Sequence, residues 1–475
     1  MQGVLALDQG SHASRAVIFD SGGRECAAAE APVTTTRRGT DEVEHDAETL
    51  LASVHSAAAQ ALRAARQAAP DLELIAVGLA TQRSTILACE RGSLRPLTAA
   101  ISWQDRRNAA WLESLRPHEP RIRALTGLPL SAHYGASKIR WCLDHVPAVS
   151  AAAARGELLT LPLAAWLVGR LTGRVAVDPA NAARTLLWDS AALDWSAEIC
   201  GLFGIEREWL PPTGPTRRRF GDFAIDGHML PLTACTGDQS AVPFAFGAPD
   251  PATAYVNLGT GAFIQRPLAA RPAAPEPLLG SILELDEQGP TYSLEGTVNG
   301  AGSAVAAFSR DSGVAEVALW PLLDTLPDDA ALPQFINGVG GFGSPWWHPE
   351  ACAEFIGVGS LAERFAAVVE SIVFMVAENV ELMAQRGGPL RHIAVTGGLA
   401  RSDWLCRRLA VTLGLPVERC SLEATARGTA ALAAPETART WRAGAQMNFT
   451  PRAVHVVAER RERYVRALRS RFGLR

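Results

Sequence analysis

Short apolar runs separated by polar turns open the chain and predict a β-hairpin. Val4 to Leu7 is the first run and Arg15 to Asp20 is the second. The polar segment from Asp8 to Ser14 contains a glycine and joins the two runs. A segment of this kind between two strands is typical of a turn.

The residues that follow predict a helix and two more strands. Apolar residues at Leu51, Val54, Ala58 and Leu62 repeat at helical spacing, which predicts a helix over residues 48–69. The apolar runs 74–80 and 86–89 are typical of strands. Strands that alternate with a helix indicate an α/β domain.

The same pattern starts again near residue 231. It predicts strands over 231–236, 252–257 and 262–265, a helix over 240–246 and a tight turn at 258–261. Each half of the chain therefore opens with a strand, a short turn of small residues and a second strand, which indicates an internal duplication. We place the boundary between residues 235 and 250, which gives domains 1–240 and 241–475.

The last part of the chain predicts a long helix and a further strand–turn–helix unit. The helix spans residues 361–385 and ends before Gly387-Gly388, and the strand spans 391–396. After Gly397 and Gly398 a second helix follows, with Ser402 or Asp403 as its cap.

Composition and charge exclude several classes of function. The 475 residues carry a formal net charge of −4, so the composition gives no polybasic footprint that would predict binding to nucleic acid or anionic lipid. No apolar run reaches the ~18 residues that a membrane span needs, and the N-terminus lacks a basic region followed by an apolar segment. The eight cysteines contain no CxxC pair, which argues against a zinc ribbon or a disulfide framework. We expect a cytoplasmic protein with a small-molecule substrate, and Lys138 is its only lysine.

Both predicted hairpin turns are candidate oxyanion sites. Small residues in a turn expose several backbone N–H groups at one point, and Ser or Thr hydroxyls add donors. The first turn contains Asp8 and Ser11, and the second contains Gly259, Thr260 and Gly261. Asp8 would repel a phosphate, so its position favours a divalent cation between the two groups.

Asp238 lies between a predicted strand and a predicted helix, and two interpretations are open. Its carboxylate caps the helix that follows, or it acts as a general base that accepts the proton of a substrate hydroxyl during phosphoryl transfer.

Other candidates also have two interpretations. Arg83 follows a strand, where ligand groups gather in open α/β sheets, and it either orients hydroxyls or is an ordinary solvated arginine. Trp103 and Phe263 either wall a ligand site or pack in the core. Gly397-Gly398 is either a simple turn or a close approach to a nucleotide. The chain contains no GxxxxGK[ST] motif and no protein-kinase loop set, so neither of those enzyme classes is supported.

In order and spacing, several stretches resemble the FGGY carbohydrate kinases, most closely the glycerol kinase branch, along nearly the whole chain. They include LALDQGSHASRAVIFD (5–20), IAVGLATQRST (75–85), AISWQDRR (100–107), GDQSAV (237–242), NLGTGAF (257–263) and VTGGLARSDWL (395–405). The resemblance implies an α/β fold of two ribonuclease-H-like domains of the actin and hexokinase type, with ATP in the cleft between them. It also implies ATP- and Mg²⁺-dependent phosphorylation of a terminal primary hydroxyl of a small polyol or ketose, by a homodimer or homotetramer.

The resemblance also gives roles to single residues. Asp238 matches the catalytic base, and Asp8 matches the position that helps to hold Mg²⁺. Positions that bind the polyol are matched by Arg83, Ser84, Trp103, His133, Asp238, Gln239 and Phe263. Phosphate-contacting positions are matched by Ser11, His12, Arg15 and Thr260, and nucleotide-contacting positions by Gly302, Gly398 and Ser402.

Two polyol positions depart from the glycerol kinase pattern. Ser84 stands where those enzymes have Glu, and His133 stands where they have a substrate-contacting Tyr. Both side chains are smaller, and we expect the room to favour a longer polyol or a ketose.

Two alternative functions remain. The altered first phosphate loop and a shortened family signature at 355–370 motivate a catalytically impaired, sugar-binding regulatory paralogue. An actin-like filament or chaperone ATPase would share only the cleft, and would leave Arg83, Trp103 and residues 237–239 unexplained.

Overall fold

Two large mixed β-sheets, one from each half of the chain, organise the structure. It is a computed structural model that describes residues 2–420, 423–439, 441 and 447–473. The strands of the first half are β1 (Gln2–Gln9), β2 (Ala13–Asp20), β3 (Glu25–Pro32), β4 (Thr36–Arg38), β5 (Glu42–His45), β6 (Glu73–Thr81), β7 (Ile86–Glu90), β8 (Ala100–Ile101), β9 (Leu158–Pro162), β10 (Trp188–Asp189), β11 (Asp194–Trp195), β12 (Arg217–Ile225) and β13 (His228–Gly237). Those of the second half are β14 (Thr253–Leu258), β15 (Ala262–Leu268), β16 (Leu279–Asp286), β17 (Gly289–Val298), β18 (Gln334–Ile336), β19 (Glu354–Ile356), β20 (His392–Thr396), β21 (Val417–Arg419) and β22 (Met447–Phe449).

Helices pack on both large sheets. They are α1 (Ala47–Ala68), α2 (Ala109–Leu112), α3 (Glu119–Thr126), α4 (Gly135–His145), α5 (Pro147–Ala154), α6 (Leu163–Thr172), α7 (Pro179–Ala183), α8 (Ala197–Phe203), α9 (Asp238–Ala241), α10 (Gly302–Ser312), α11 (Glu316–Leu319), α12 (Leu361–Gly387), α13 (Asp403–Leu413), α14 (Ala424–Ala433), α15 (Pro435–Ala438) and α16 (His455–Phe472). Among the described residues, none of these helices combines the length and the apolar character that crossing a bilayer would require.

The six strands of the first sheet lie in the order β12-β13-β6-β1-β2-β3. The predicted hairpin is confirmed, since β1 and β2 pair antiparallel, while β1 and β13 each run parallel to β6. Side chains alternate across the strand: Leu5 and Leu7 pack in the core under α1, whereas Val4 and Ala6 pack on the opposite face among residues of α14. Both faces of the sheet are therefore covered, as the continuous apolar runs require.

The second sheet repeats the arrangement of the first. Its order is β16-β17-β15-β14-β20-β21-β22, with β14 antiparallel to β15 and parallel to β20. The long α12 packs against it, with Phe365, Val368 and Ile372 fully buried. The two-domain α/β fold with an internal duplication is therefore confirmed.

Three strands between β2 and α1 were not predicted. β3, with the sequence ECAAAEAP, has no β-branched or aromatic residue, so its composition does not favour a strand. It forms one because the edge of β2 offers unpaired backbone groups. β4 and β5 join β7, β8 and β9 in a separate five-stranded sheet. The predicted helix over 240–246 begins earlier, as α9, and tightens into a 3₁₀ turn from Val242, where Pro243 supplies no backbone N–H.

A close contact joins α14, late in the chain, to the first sheet. A Cβ atom on Gly428 would lie 1.9 Å from the carbonyl oxygen of Ala241, and one on Gly78 of β6 would lie 2.6 Å from the carbonyl oxygen of Thr429. The backbones of α14, β6 and α9 can approach this closely only without side chains at these two positions. The position of α9 therefore depends on the fit of α14.

A buried cluster of charges forms a second link between the halves. Glu295, on β17, accepts hydrogen bonds from Arg83 Nη1 at 3.0 Å and Nη2 at 3.2 Å, and a further one from Arg184. The Glu295 side chain is only 3% exposed. Burial would raise the pKa of Glu295, but the guanidinium groups of Arg184 and Arg83 outweigh this effect and hold the pKa well below its ordinary range.

We expect Gly428→Ala to lower the melting temperature, because the added methyl group has no room against Ala241. Overpacking of this kind costs about 1–3 kcal/mol. Gly201→Ala in α8 is the matched control, since a Cβ there meets open space, and it should leave the melting temperature unchanged or raise it slightly. Calorimetric scans of the three proteins decide the outcome, and equal melting temperatures for wild type and Gly428→Ala would contradict the close contact.

We expect Glu295→Gln to destabilise the protein by about 3–5 kcal/mol near pH 7, because two buried guanidinium groups lose their counter-charge. The pKa of Glu295 lies below its ordinary value of 4.5, so its stabilising effect is full above that pH and is lost as the pH falls below it. The difference in unfolding free energy between wild type and variant should therefore shrink below about pH 4.5.

Urea titrations at several pH values measure this difference. Glu198→Gln is the control, because its pair with Arg121 is exposed and screened by water, so its loss should leave the stability nearly unchanged at every pH. A wild-type-to-Glu295→Gln difference that stays constant from pH 7 to pH 3.5 would rule out a stabilising charge at position 295.

Candidate active site

Three parallel strands of the first sheet end side by side, which brings distant parts of the chain together. Gln9 at the end of β1 is in register with Thr81 at the end of β6, and Thr81 with Gly237 at the end of β13. Ligand groups gather at the carboxyl ends of parallel strands. Asp8, Arg83 and Asp238 lie on or directly after these strand ends.

The Asp238 carboxylate is held at the first position of α9. Its Oδ1 accepts the Gln239 N–H at 2.7 Å and lies 3.8 Å from Arg83 Nε. The N-cap position belongs to Gly237, so Asp238 does not cap this helix. Its side chain stays 27% exposed. Partial exclusion from water raises the pKa of Asp238, and the charge of Arg83 opposes that rise.

Asp8 is the second carboxylate of the site. Burial, and after it the charge of Asp238, raise the pKa of Asp8 to about 7. The described residues contain no cluster of three or more His, Cys, Asp or Glu that would enclose a metal ion. Mg²⁺ in kinases is held by one or two carboxylates with phosphate oxygens and water, so the donor set of Asp8 beside Asp238 fits such an ion.

The first hairpin turn is hydrogen-bonded to Trp103 and Gln82, which lie beside it. Trp103 Nε1 donates to Ser11 Oγ at 2.9 Å, and Ser11 Oγ donates to Gln82 Oε1 at 3.2 Å. Trp103 and Phe263 are half-buried, and neither belongs to a hydrophobic core cluster of the described residues. The interpretation of both rings as core packing is therefore not favoured.

Lys138 joins the two positions that depart from the glycerol kinase pattern. Its Nζ donates to the carbonyl oxygens of Ser84 at 3.0 Å and His133 at 2.6 Å. Ser84 has a φ of 66°, and its buried hydroxyl has no hydrogen-bond partner among the described residues. Burial, and after it the charge of Arg106, lower the pKa of His133 far below its ordinary value, so the imidazole is neutral at pH 7.

Thr260, Gly302 and Gly398 gather at the corresponding edge of the second sheet. The Gly302 N–H donates to the carbonyl oxygen of Gly259 at 3.0 Å, and the Ser303 N–H to that of Thr260 at 2.9 Å. Gly398 follows β20, next to the end of β14, and space around it is open. The two edges also touch, because Asn257 Nδ2 donates to Gln239 Oε1 at 3.0 Å.

Three candidate ligand residues have surroundings that fit other roles. Arg15 is paired with Glu30 and Glu423. Ser402 caps α13 by accepting the Leu405 N–H, which decides between the two predicted caps. His12 is exposed, and its carbonyl oxygen accepts the Val33 N–H at 2.8 Å.

Glu295 and Arg184 belong to the site and were not singled out from the sequence. Each is a charged residue inside a segment of otherwise small or apolar residues, a pattern that indicates a buried charge. That signal does not tell which partner a buried charge meets, since Arg83 and Glu295 are 212 positions apart.

The chain matches known families over most of its length. The model "FGGY family of carbohydrate kinases, N-terminal domain" matches residues 3–257, and its C-terminal counterpart matches residues 254–436. A glycerol kinase of Methylibium petroleiphilum is 36% identical over 505 aligned positions, covering 98% of each chain. One of Bordetella parapertussis is 36% identical and covers 90% of this chain and 88% of its own.

Solved structures show the same fold. A Plasmodium falciparum glycerol kinase with ADP superposes with a TM-score of 0.88 at 20% identity, covering 100% of this chain and 98% of that one. A xylulose kinase of Rhodospirillum rubrum gives a TM-score of 0.85 at 20% identity, covering 98% of both. The resemblance seen in the sequence is confirmed by the family models and the 36% identical relatives. The chain belongs to the FGGY family of carbohydrate kinases, ATP-dependent enzymes that transfer phosphate to a hydroxyl group.

Proposed function

We propose that this kinase phosphorylates a terminal primary hydroxyl of a small polyol or ketose, with Asp238 as the general base. The observation that carries the proposal is the placement of Asp238. Its partly exposed carboxylate follows β13, lies beside Arg83 and shares its surroundings with Asp8. A base works best when its pKa approaches the operating pH, and burial shifts the pKa of Asp238 in that direction.

The substrate lies at the carboxyl ends of β1, β6 and β13 in the first sheet. Arg83 and Gln239 orient its hydroxyls, and Trp103 and Phe263 provide walls for its carbon chain. The indole of Trp103 also holds Ser11 in the first turn, so the pocket wall and the phosphate turn keep a fixed distance. Positioning of this kind supplies much of the rate in phosphoryl transfer.

The nucleotide lies between the two hairpin turns. Backbone N–H groups near Ser11 and His12, together with Thr260, contact the phosphates, and the strand ends near Gly302 and Gly398 border the rest of ATP. Asp8 would hold Mg²⁺, which when bound neutralises charge on the phosphoryl oxygens. Asp238 accepts the hydroxyl proton as the substrate oxygen attacks the γ-phosphorus.

We expect Asp238→Asn to lower kcat by about 10²–10⁴-fold, because the amide cannot accept the proton but can still accept the Gln239 N–H. Coupled ADP release measures the loss. Asp222→Asn, in an exposed pair with Arg219, is the control and should leave kcat unchanged. A kcat of Asp238→Asn near that of wild type would refute the assignment, and sugar binding without ADP release by wild type would favour the regulatory paralogue.

We expect the double substitution Ser84→Glu with His133→Tyr to raise the kcat/KM for glycerol relative to longer polyols and ketoses. The larger polar groups narrow the pocket and restore partners for the hydroxyls of a short substrate, and each such partner is worth about 0.5–1.5 kcal/mol. A panel of glycerol, erythritol, pentitols and ketoses gives the ratios. Ser93→Glu with His145→Tyr, both at exposed positions, is the control. Unchanged ratios in the pocket variant would show that these positions do not govern the choice of substrate.

A further inference from the structure

Helix α4 begins in close contact with the backbone segment that follows α7. The Gly135 N–H donates to the carbonyl oxygen of Arg184 at 3.3 Å, and the Ala136 N–H donates to that of Thr185 at 2.7 Å. A Cβ atom on Gly135 would lie 2.8 Å from Cγ2 of Ile86 and 3.2 Å from Cα of Thr185. The first turn of α4 is therefore closely packed between the start of β7 and the segment that carries Arg184.

Lys138, in the same turn of α4, joins two further segments. Its Nζ donates to the carbonyl oxygens of Ser84 at 3.0 Å and His133 at 2.6 Å, and the residue is only 1% exposed. Burial, and after it the charge of Arg106, lower the pKa of Lys138 far below its ordinary value, which favours the uncharged amine. An uncharged amine has two N–H groups, and the two carbonyl oxygens provide one partner for each. One buried nitrogen atom thus links two segments that are distant in the chain.

The link to Lys138 holds Ser84 in an unusual backbone conformation. Ser84 has a φ of 66°, in the left-handed region that residues other than glycine rarely adopt. Such a conformation persists where surrounding contacts hold it, and here Lys138 holds the carbonyl oxygen. Because Ser84 lies between Arg83 and Thr85, its backbone conformation sets the relation between these two side chains.

Both linked segments contact Trp103, a wall of the proposed substrate site. The acceptor pocket is the site bordered by Arg83, Trp103, Gln239 and Phe263. The Trp103 N–H donates to Thr85 Oγ1 at 3.1 Å, directly beside Ser84. The ring of Trp103 packs edge-on against the imidazole of His133, with 5.7 Å between the centroids. A change in the distance between the backbones at 84 and 133 would therefore alter this wall of the acceptor pocket.

Lysine suits this position in a way that arginine does not. The chain has 45 lysine and arginine residues together, and Lys138 is the only lysine. A guanidinium group is planar, bulky and always charged, whereas a lysine amine is compact and loses its charge readily when it is buried. Two carbonyl oxygens that converge on one buried nitrogen atom require the compact group. A chain that uses arginine at every other basic position thus has lysine where one small donor separates two backbones.

We propose that Lys138 is a positioning residue for the acceptor: its Nζ fixes the distance between the backbones of Ser84 and His133 and thereby the shape of the acceptor pocket. The inference rests on the proposed function and deepens it, because it names the residue that spaces the two positions expected to govern the choice of substrate. Lys138 is buried beneath these residues, so it acts through them and not on the substrate itself.

The single lysine allows a direct test in the wild-type protein. Protein made with lysine labelled with ¹³C at Cε should give one labelled side-chain NMR signal, because no other lysine contributes. A polyol or ketose that raises the melting temperature in the absence of ATP should shift this signal, because it contacts the residues that Lys138 spaces. A sugar that does not raise the melting temperature is the control and should leave the signal unchanged.

Substitution of Lys138 tests the same role in turnover. Lys138→Met keeps an unbranched apolar stem but leaves two buried carbonyl oxygens without their donor. It should raise the KM for the acceptor by about tenfold or more, change the ratios of kcat/KM among glycerol, pentitols and ketoses, and alter the KM for ATP by less than about twofold. Coupled ADP release gives these values.

Arg266→Met is the matched control for a general loss of stability. Arg266, on β15, is 2% exposed and likewise donates to backbone carbonyl oxygens, those of Pro251 at 2.9 Å and Met383 at 2.6 Å. This variant should also lower the melting temperature, but it should leave the KM for the acceptor and the acceptor ratios unchanged. The NMR measurement uses wild type and decides the question even where Lys138→Met does not fold.

An NMR signal that no bound acceptor moves would overturn the proposal. A Lys138→Met variant with wild-type acceptor ratios and KM would do the same, and so would equal rises in the KM for acceptor and for ATP, which indicate a general loss of structure. Wild type that releases ADP with no acceptor, while a bound polyol or ketose still shifts the Lys138 signal, would remove the proposed function and leave the positioning role standing.

Discussion

The buried carboxylate of Glu295 fixes the position of two arginines at the candidate active site, Arg83 and Arg184. Glu295 comes from the second sheet, and its two oxygens hold guanidinium groups from two separate segments of the first half. With Nη1 and Nη2 committed to Glu295, only the Nε edge of Arg83 faces Asp238. The orientation of Arg83 thus reflects contact between the halves as well as local structure. A relative shift of the two sheets would move the charge that faces the proposed base.

The sequence pattern predicts the framework of this site well, for a simple physical reason. Strands such as β1 and β6 are buried on both faces, so they read as continuous apolar runs, and polar residues mark where they end. The edge strand β3 carries no comparable signal, because its alanines do not favour a strand. It is a strand because its backbone pairs with that of β2. The local pattern also allowed either Ser402 or Asp403 as the N-cap of α13. The hydrogen bond from the Leu405 N–H to the Ser402 side chain shows that Ser402 is the cap.

The contacts that make the site depend on register and long-range pairing, which a local pattern does not contain. Asp8, Arg83 and Asp238 could be grouped from the sequence because each follows an apolar run. The sequence alone does not reveal that Ser11 bonds to Trp103, that Asn257 bonds to Gln239 or that Glu295 meets Arg83. The family resemblance identified Gln239 and Arg83 as candidate site residues. It did not identify Asn257 and Glu295, the residues that hydrogen-bond to them. The residues found only in three dimensions are those that position the candidate catalytic groups.

The burial of Lys138 has a consequence for how the folded chain meets proteases. An endoproteinase specific for lysine has one target bond in the whole sequence, between Lys138 and Ile139, and that bond lies inside helix α4. Cleavage there requires α4 to unwind, and with it the segment whose carbonyl oxygen Lys138 holds at His133. The chain thus carries a built-in reporter, because a single cut that yields two fragments registers the unwinding of α4.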